Sequence, residues 1–242
     1  MTAFGGTIMK YPFILLDIDG TLVNFDLTFS NAFASTLEFG GSMANEINIK
    51  KYHSCNDEAW YESGLDNVDD ASVCRIYHPG YREYLLNTSK KAKKCMNLNK
   101  TPEELTAHFI KAMGNFAELN SNVLDICRQL SANHTLCIAS NGLTDLQMGK
   151  LTSLAPFISH YFISEDMNCI KPETEYFCYI FNKLGCKAKD CLMIGDSLKN
   201  DIEGANRSGI ASCYYNPTGY VNKTGITSTY EICDFSELLN IV

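Results

Sequence analysis

Two carboxylates two residues apart stand in the run Asp17-Ile18-Asp19-Gly20-Thr21, directly after a short apolar stretch. Alternation along an extended chain turns residues i and i+2 to the same side, so both acids would face one crevice. A carboxylate attacks a phosphate dianion only when the charge between them is screened, which asks for a divalent cation and nearby donors. With that screening Asp17 could act as nucleophile and Asp19 could protonate the departing alkoxide. Taken alone, the same residues would serve equally well as an Asp-Gly turn after a strand.

Three further clusters follow in order. Ser140-Asn141-Gly142 offers a hydroxyl and backbone donors ahead of a helical stretch, where anions settle; alone it would pass for a turn and helix cap. Lys171 precedes Pro172 in front of another helical stretch, a position that by itself signals a solvated lysine. Gly195-Asp196-Ser197 closes a further apolar run, and Asp201 lies five residues beyond Asp196. Two acids there suit a hard cation that takes oxygen ligands.

The elements that must position these residues are legible as five short β-rich apolar runs, at 13–18, 135–139, 161–163, 191–194 and 211–215. Helical patterns at 143–154, 175–184 and 201–208 separate the last four, with Gly209 placed to end the third. This alternation predicts an α/β fold, doubly wound around a mainly parallel sheet with right-handed crossovers. Three of the four clusters then fall at carboxyl ends of strands and Lys171 in the loop after another. An open α/β sheet forms its ligand crevice at those ends.

The long interval between the first two strands is helical in pattern and hardly strand-like. It predicts an inserted helical cap at 24–116, with the core formed by 1–23 and 117–242. Thr101, Pro102 and Glu104 mark a helix start, with a capping hydroxyl, proline at the first position and a carboxylate at the third. That helix is expected to reach Met113, with Gly114 and Asn115 as a hinge back to the core. Ser121 is expected to cap a helix over 122–130. The four lysines within 90–94 read as a solvated helix face.

Composition narrows the function. The 242 residues are 45% hydrophobic and 20% charged, near the averages for globular proteins, and no apolar run approaches a membrane span. The formal net charge of −8 disfavours nucleic-acid polymers and anionic membranes, whose recognition needs a basic footprint. The 11 cysteines are odd in number and contain no C-x-x-C pair, which points to reduced, buried thiols and a cytoplasmic setting rather than disulfides or zinc. Residues 1–10 read as a loose leader without a secretory pattern.

Taken together and in this order, the four clusters resemble the motifs of the haloacid dehalogenase superfamily, over nearly the whole chain. The resemblance implies a Rossmann-like core and a magnesium-dependent phosphatase working through an aspartyl-phosphate. By it, Asp17 is nucleophile and metal ligand, and Asp19 is general acid and base and offers the metal its backbone carbonyl. Asp196 completes the metal site. Ser140, Asn141 and Lys171 hold the phosphate, while Asp201 and Thr21 stand behind them, Asp201 orienting Lys171 or a metal-bound water. The namesake dehalogenases lack an acid at the position of Asp19, so its presence favours phosphate chemistry.

The helical insertion is similar to the C1-type cap of the branch that holds phosphoglycolate phosphatases, phosphomutases and several nucleotidases. Asn141-Gly142 with Thr144 and Gln147, Ile163-Ser164-Glu165, and the cap stretch from Asn56 to Trp60 resemble its pyrimidine 5′-nucleotidase group. By that likeness the substrate is a small-molecule phosphate ester, a nucleoside monophosphate, with Asn56 and Trp60 touching the nucleoside; Trp60 could equally pack inside the cap. Two departures stand out: Gly20 replaces a frequent acidic residue, and Glu173-Thr174 replaces the usual pair after lysine-proline. Sugar phosphates or phosphoglycolate remain alternative substrates. A phosphomutase and a noncatalytic binding module on the same fold also remain open, as does the oligomeric state.

Overall fold

A computed structural model of the chain describes residues 10–242; residues 1–9, most of the stretch read as a leader, lie outside it. Six strands form one sheet: β1 (Phe13–Leu16), β2 (Thr135–Ser140), β3 (His160–Ile163), β4 (Cys191–Gly195), β5 (Ala211–Tyr215) and β6 (Tyr230–Ile232). Their order is β3-β2-β1-β4-β5-β6, and every neighbouring pair is parallel. The five strands expected from sequence are present. The sixth escaped because a three-residue edge strand carrying Glu231 has neither the length nor the apolar continuity of the others.

The strands alternate faces. Ile14, Leu16, Leu136, Ile138, Leu192 and Ile194 join one core cluster, whereas Leu15, Cys137, Ala139 and Met193 join another. Burial on both faces is why these strands read as continuous apolar runs. Helix α5 (Val123–Leu130) packs on the first cluster through Val123, Ile126, Cys127 and Leu130. On the other face, α8 (Thr174–Leu184) contributes Tyr176, Phe177 and Ile180. All 11 cysteines are free thiols, and Cys137 and Cys191 pack as small hydrophobes.

Between β1 and α5 run four helices: α1 (Phe25–Phe39), α2 (Glu46–Ser63), α3 (Ala71–Met96) and α4 (Pro102–Asn115). They share a core of their own that includes Phe29, Phe33, Tyr52, Tyr84 and Phe109. Side chains of Asn24, Asn45 and Asp70 cap the first three. Thr101 and Glu104 form the expected capping box on the fourth. The lysine run lies on α3, where Lys91 pairs with Glu58 and Glu62 and Lys93 caps the carbonyls of Leu98 and Lys100.

Two local expectations are corrected. Gly114 is not a hinge: α4 runs through it, and its backbone packs against Gly149 so tightly that a Cβ would lie 2.9 Å from the Gly149 Cα. Ser121 does not cap α5. Asn122 takes that place at φ 65°, and its amide turns away to Asp234 at 2.9 and 3.0 Å.

The remaining helices are short: α6 (Thr144–Gly149), α7 (Ser164–Met167) and α9 (Gly204–Arg207). The helix expected over 143–154 thus closes early, as α6 and a 3-10 turn at Ala155–Phe157. A π-helical turn, Leu198–Glu203, leads into α9 and carries Asp201. Among the described residues no helix is long and apolar enough to cross a membrane.

Candidate active site

The sheet order makes the chain wind outward from β1 through β2 to β3, then return to β4 on the other side of β1. Asp17 follows β1 and Asp196 follows β4, so the acids meet at the topological switch point, where neighbouring connections part and leave a crevice. A cavity of about 300 Å³ opens there, lined by Asp17, Asp19, Ser140, Asn141, Lys171, Asp196, Ser197, Asn200 and Asp201 together with aromatic groups of the helical insertion. All four sequence clusters therefore contribute to one space.

Lys171 sits at its floor, 1% exposed. Its ammonium donates to Asp17 Oδ1 at 2.7 Å, Asp201 Oδ1 at 2.6 Å and the Ala139 carbonyl at 2.7 Å, which uses all three of its hydrogens. Burial works to lower its pKa, but Asp17 and Asp201 outweigh it and hold the lysine charged, well above its ordinary value. Asn141 fixes the backbone of this lysine, accepting from Lys171 N at 2.8 Å and donating to Lys171 O at 2.9 Å. Its oxygen and one amide hydrogen are engaged with the lysine loop, which leaves its second amide hydrogen and the Ser140 hydroxyl as the side-chain donors of that cluster.

Carboxylate oxygens of Asp17, Asp196 and Asp201 all lie within 4.8 Å of one another. Burial, then the neighbouring Asp201 and Asp19, push Asp17 up to about 7 against the pull of Lys171. Burial and the charges of Asp17 and Asp201 push Asp196 up to about 8. Ionising all three carboxylates beside one ammonium would leave two negative charges uncompensated, which is why two of them are raised and why a divalent cation would favour their charged forms. The donor set is all oxygen, as magnesium requires. Asn200 lines the same cavity, and its Oδ1 is buried without a hydrogen-bond partner. The residues present thus fit a magnesium ion.

The acids are held in place by neighbours. Thr21 Oγ1 donates to Asp196 Oδ1 and accepts from Asp196 N. Asp201 Oδ2 accepts from Ser197 N at 3.0 Å, drawing the π-helical turn onto the loop after β4. Gly20 has φ 83°, and a Cβ there would lie 2.2 Å from Asp196 Oδ2. A side chain at this departure from the nucleotidase pattern would therefore combine a strained positive φ with displacement of the Asp196 carboxylate.

Above the crevice, Phe25, Trp60 and Tyr81 are shared with a second cavity of about 470 Å³, completed by Phe29, Asn56, Asp57 and Tyr84. Asn56 and Trp60, nominated from sequence, both line it. Asn56 Oδ1 accepts a hydrogen bond from Tyr84 OH. Trp60 lies edge-on to Tyr84 and Tyr81, with ring centroids 5.1 and 6.0 Å apart. It is thus both a packing element and a wall of the pocket. The insertion also binds the sheet side: Arg82 pairs with Glu165 at 2.8 Å and Asp145 at 3.3 Å, Asp69 with Lys199 at 2.7 Å, and His78 with Ser164 at 2.8 Å.

Sequence reasoning missed Lys150, whose buried ammonium bonds both carboxylate oxygens of Asp19. A signal was present: Leu143, Leu146, Gln147, Lys150, Leu151 and Leu154 trace one helical stripe, and two polar residues interrupt it. Tyr77, Tyr81 and Phe25 were also missed, because aromatic residues on the inserted helices look the same in sequence whether they fill a core or line a cleft.

The doubly wound parallel sheet thus gathers three acids and a buried lysine at its switch point, a site suited to a hydrolase that works through a carboxylate. A family model for haloacid dehalogenase-like hydrolases matches residues 11–209, and the chain belongs to that family; it is an enzyme of phosphatase type. It is 28% identical over 237 residues to the pyrimidine 5′-nucleotidase PynA of Streptococcus pneumoniae, covering 96% of this chain and 95% of that one. It is 25% identical to the pyrimidine 5′-nucleotidase YjjG of Escherichia coli, covering 95% and 97%. The HAD-hydrolase YfnB of Bacillus subtilis, solved bound to magnesium, superposes with a TM-score of 0.76 at 26% identity, covering 96% of this chain and 99% of that one.

Proposed function

We propose that this protein is a magnesium-dependent phosphomonoester hydrolase that removes the phosphate of nucleoside 5′-monophosphates through an aspartyl-phosphate on Asp17. The observation that carries the reading is adjacency: the crevice holding Asp17 and Lys171 shares Phe25, Trp60 and Tyr81 with a pocket walled by five aromatic side chains, Phe25, Phe29, Trp60, Tyr81 and Tyr84. Such a pocket suits a flat base, with Asn56 and Asp57 at hand for its polar edge. Phosphoglycolate has nothing to place there. The likeness to the two pyrimidine 5′-nucleotidases supports the same substrate class.

In this mechanism Ser140 receives the phosphate, the buried charge of Lys171 favours its approach, and Lys171 holds one Asp17 oxygen so that the other attacks phosphorus. Asp19 gives a proton to the leaving 5′-oxygen and then takes one from the water that hydrolyses the aspartyl-phosphate. Asp17, Asp196 and the Asp19 backbone carbonyl would hold magnesium, which supplies charge neutralisation to the nucleophile and the transferring oxygens. Asp201 keeps Lys171 in place through their 2.6 Å bond. Residues 24–116 act as a cap that closes on the substrate and excludes water, with 1–23 and 117–242 as the core. Asp17→Asn should lower turnover by about 10⁴-fold or more while leaving the fold intact. A screen of nucleoside monophosphates against sugar phosphates with magnesium tests the substrate: a clear preference for sugar phosphates overturns the nucleotidase reading.

A further inference from the structure

Lys150, one residue past the end of α6, has a side chain that is 0% exposed. An ammonium so deeply placed is costly unless every hydrogen finds an acceptor, and here all three do. It donates to Asp19 Oδ1 at 2.6 Å, Asp19 Oδ2 at 2.8 Å and Gln147 Oε1 at 2.7 Å. Gln147, three residues earlier, uses its Nε2 on Asp19 Oδ2 at 3.0 Å, Ser140 Oγ at 3.0 Å and the Asn141 carbonyl at 2.9 Å. Both oxygens of Asp19 are therefore gripped from one side, by two residues of one helix end, and the same amide ties that grip to the Ser140 loop.

Fold stability alone does not call for this arrangement. An apolar side chain of similar length would fill the site without the desolvation cost of a buried charge. The partner is also not a core carboxylate: the Asp19 side chain is 27% exposed and borders both the catalytic crevice and a neighbouring cavity of about 560 Å³. A carboxylate on that boundary would otherwise choose among rotamers, and a donor misplaced by about 1 Å costs roughly 10²-fold in rate.

We propose that Lys150, together with Gln147, is a positioning residue that fixes the Asp19 carboxyl group in the orientation from which it serves the leaving oxygen. The inference rests on the reading of Asp19 as the group that protonates the leaving group. Lys150 does not line the crevice; it acts through Asp19.

The test uses kcat/KM, which reports the steps through departure of the alcohol, for an alkyl phosphate whose leaving group needs a proton and for 4-nitrophenyl phosphate, whose leaving group does not. Lys150→Met should lose about 10²-fold on the alkyl ester and no more than about threefold on the aryl ester. Lys150→Arg, which keeps the charge, should recover most of the alkyl activity. In an Asp19→Asn background Lys150→Met should add no further loss on the alkyl ester, because the two act in series. Equal loss on both esters, or losses that add in the double variant, overturns the proposal. If circular dichroism shows Lys150→Met unfolded, Gln147→Met, which removes the amide donor to Asp19 and the third acceptor of Lys150, carries the test by the same criterion: a loss confined to the alkyl ester supports the role, and equal or absent loss overturns it. An Asp19→Asn enzyme indifferent to the leaving group would instead refute the reading of Asp19 itself.

Discussion

Thr21 and Asp196 bond each other in both directions: the threonine hydroxyl donates to Asp196 Oδ1 and accepts from Asp196 N, each at 3.0 Å. Thr21 is fully buried and comes from the loop after β1, while Asp196 follows β4, so the pair ties the two halves of the switch point together. Thr21→Val keeps the shape and removes both bonds. Partners that orient a metal-binding carboxylate are worth about 10- to 100-fold in metal affinity. The variant should therefore need roughly that much more magnesium for half-maximal turnover, with kcat at saturating magnesium much less affected. A magnesium titration that superposes on the wild type would refute the role.

The strand-end clusters were legible because chemistry there constrains residue type and position at once. Asp17, Lys171 and Asp196 are legible only jointly: each alone would pass for a turn or a solvated side chain, and their order along the chain around predicted strand ends singles them out. Lys150 was not legible, because the apolar stripe it shares with Leu146 and Leu151 announces burial but not that the buried face meets Asp19. The walls of the cap pocket were half legible: Asn56 and Trp60 came from a family likeness, while Tyr81 and Phe25 depend on how α1, α2 and α3 pack. Ser121 failed as a cap for a physical reason. Asn tolerates positive φ better than Ser, so the turn moved one residue along.

Gly114 offers a second case where packing overrides local preference. Alanine is favoured over glycine inside a helix by about 1 kcal/mol. A Cβ at Gly114, however, would sit 2.9 to 3.1 Å from backbone atoms of Gly149, which cannot rotate aside. Overpacking of that kind costs about 1 to 3 kcal/mol. Gly114→Ala should lower Tm by several degrees, measured by thermal unfolding. A raised Tm would mean that α4 and α6 do not meet at these glycines.

His78 on α3 is buried against the Ser164 hydroxyl, and burial pulls its pKa below the ordinary 6.5, opposed by Glu165 and Asp166. A histidine depressed in the folded state binds its proton more readily when unfolded. Its neutral form thus stabilises the fold fully above about 6.5, and that contribution is lost as pH falls below it. The drop in Tm between about pH 7.5 and 5.5 should be steeper for the wild type than for His78→Asn. Parallel pH profiles for the two proteins would remove His78 as the cause.

Trp60 divides its surface between the cap core and the pocket, so its substitution separates two roles. Stacking of a base on an aromatic ring is worth about 1 to 3 kcal/mol, or roughly fivefold to 150-fold in affinity. If the indole receives the base, Trp60→Ala should lower kcat/KM for a nucleoside monophosphate by that factor. Aryl phosphate hydrolysis, which asks nothing of the base pocket, should fall by no more than about threefold. If instead the indole serves only to brace Tyr81 and Tyr84, its loss loosens the roof of the crevice, since Tyr81 also lines the space above Asp17. Both substrates would then suffer alike. The ratio of the two kcat/KM values, measured in the same variant, decides between a base-binding wall and a strut.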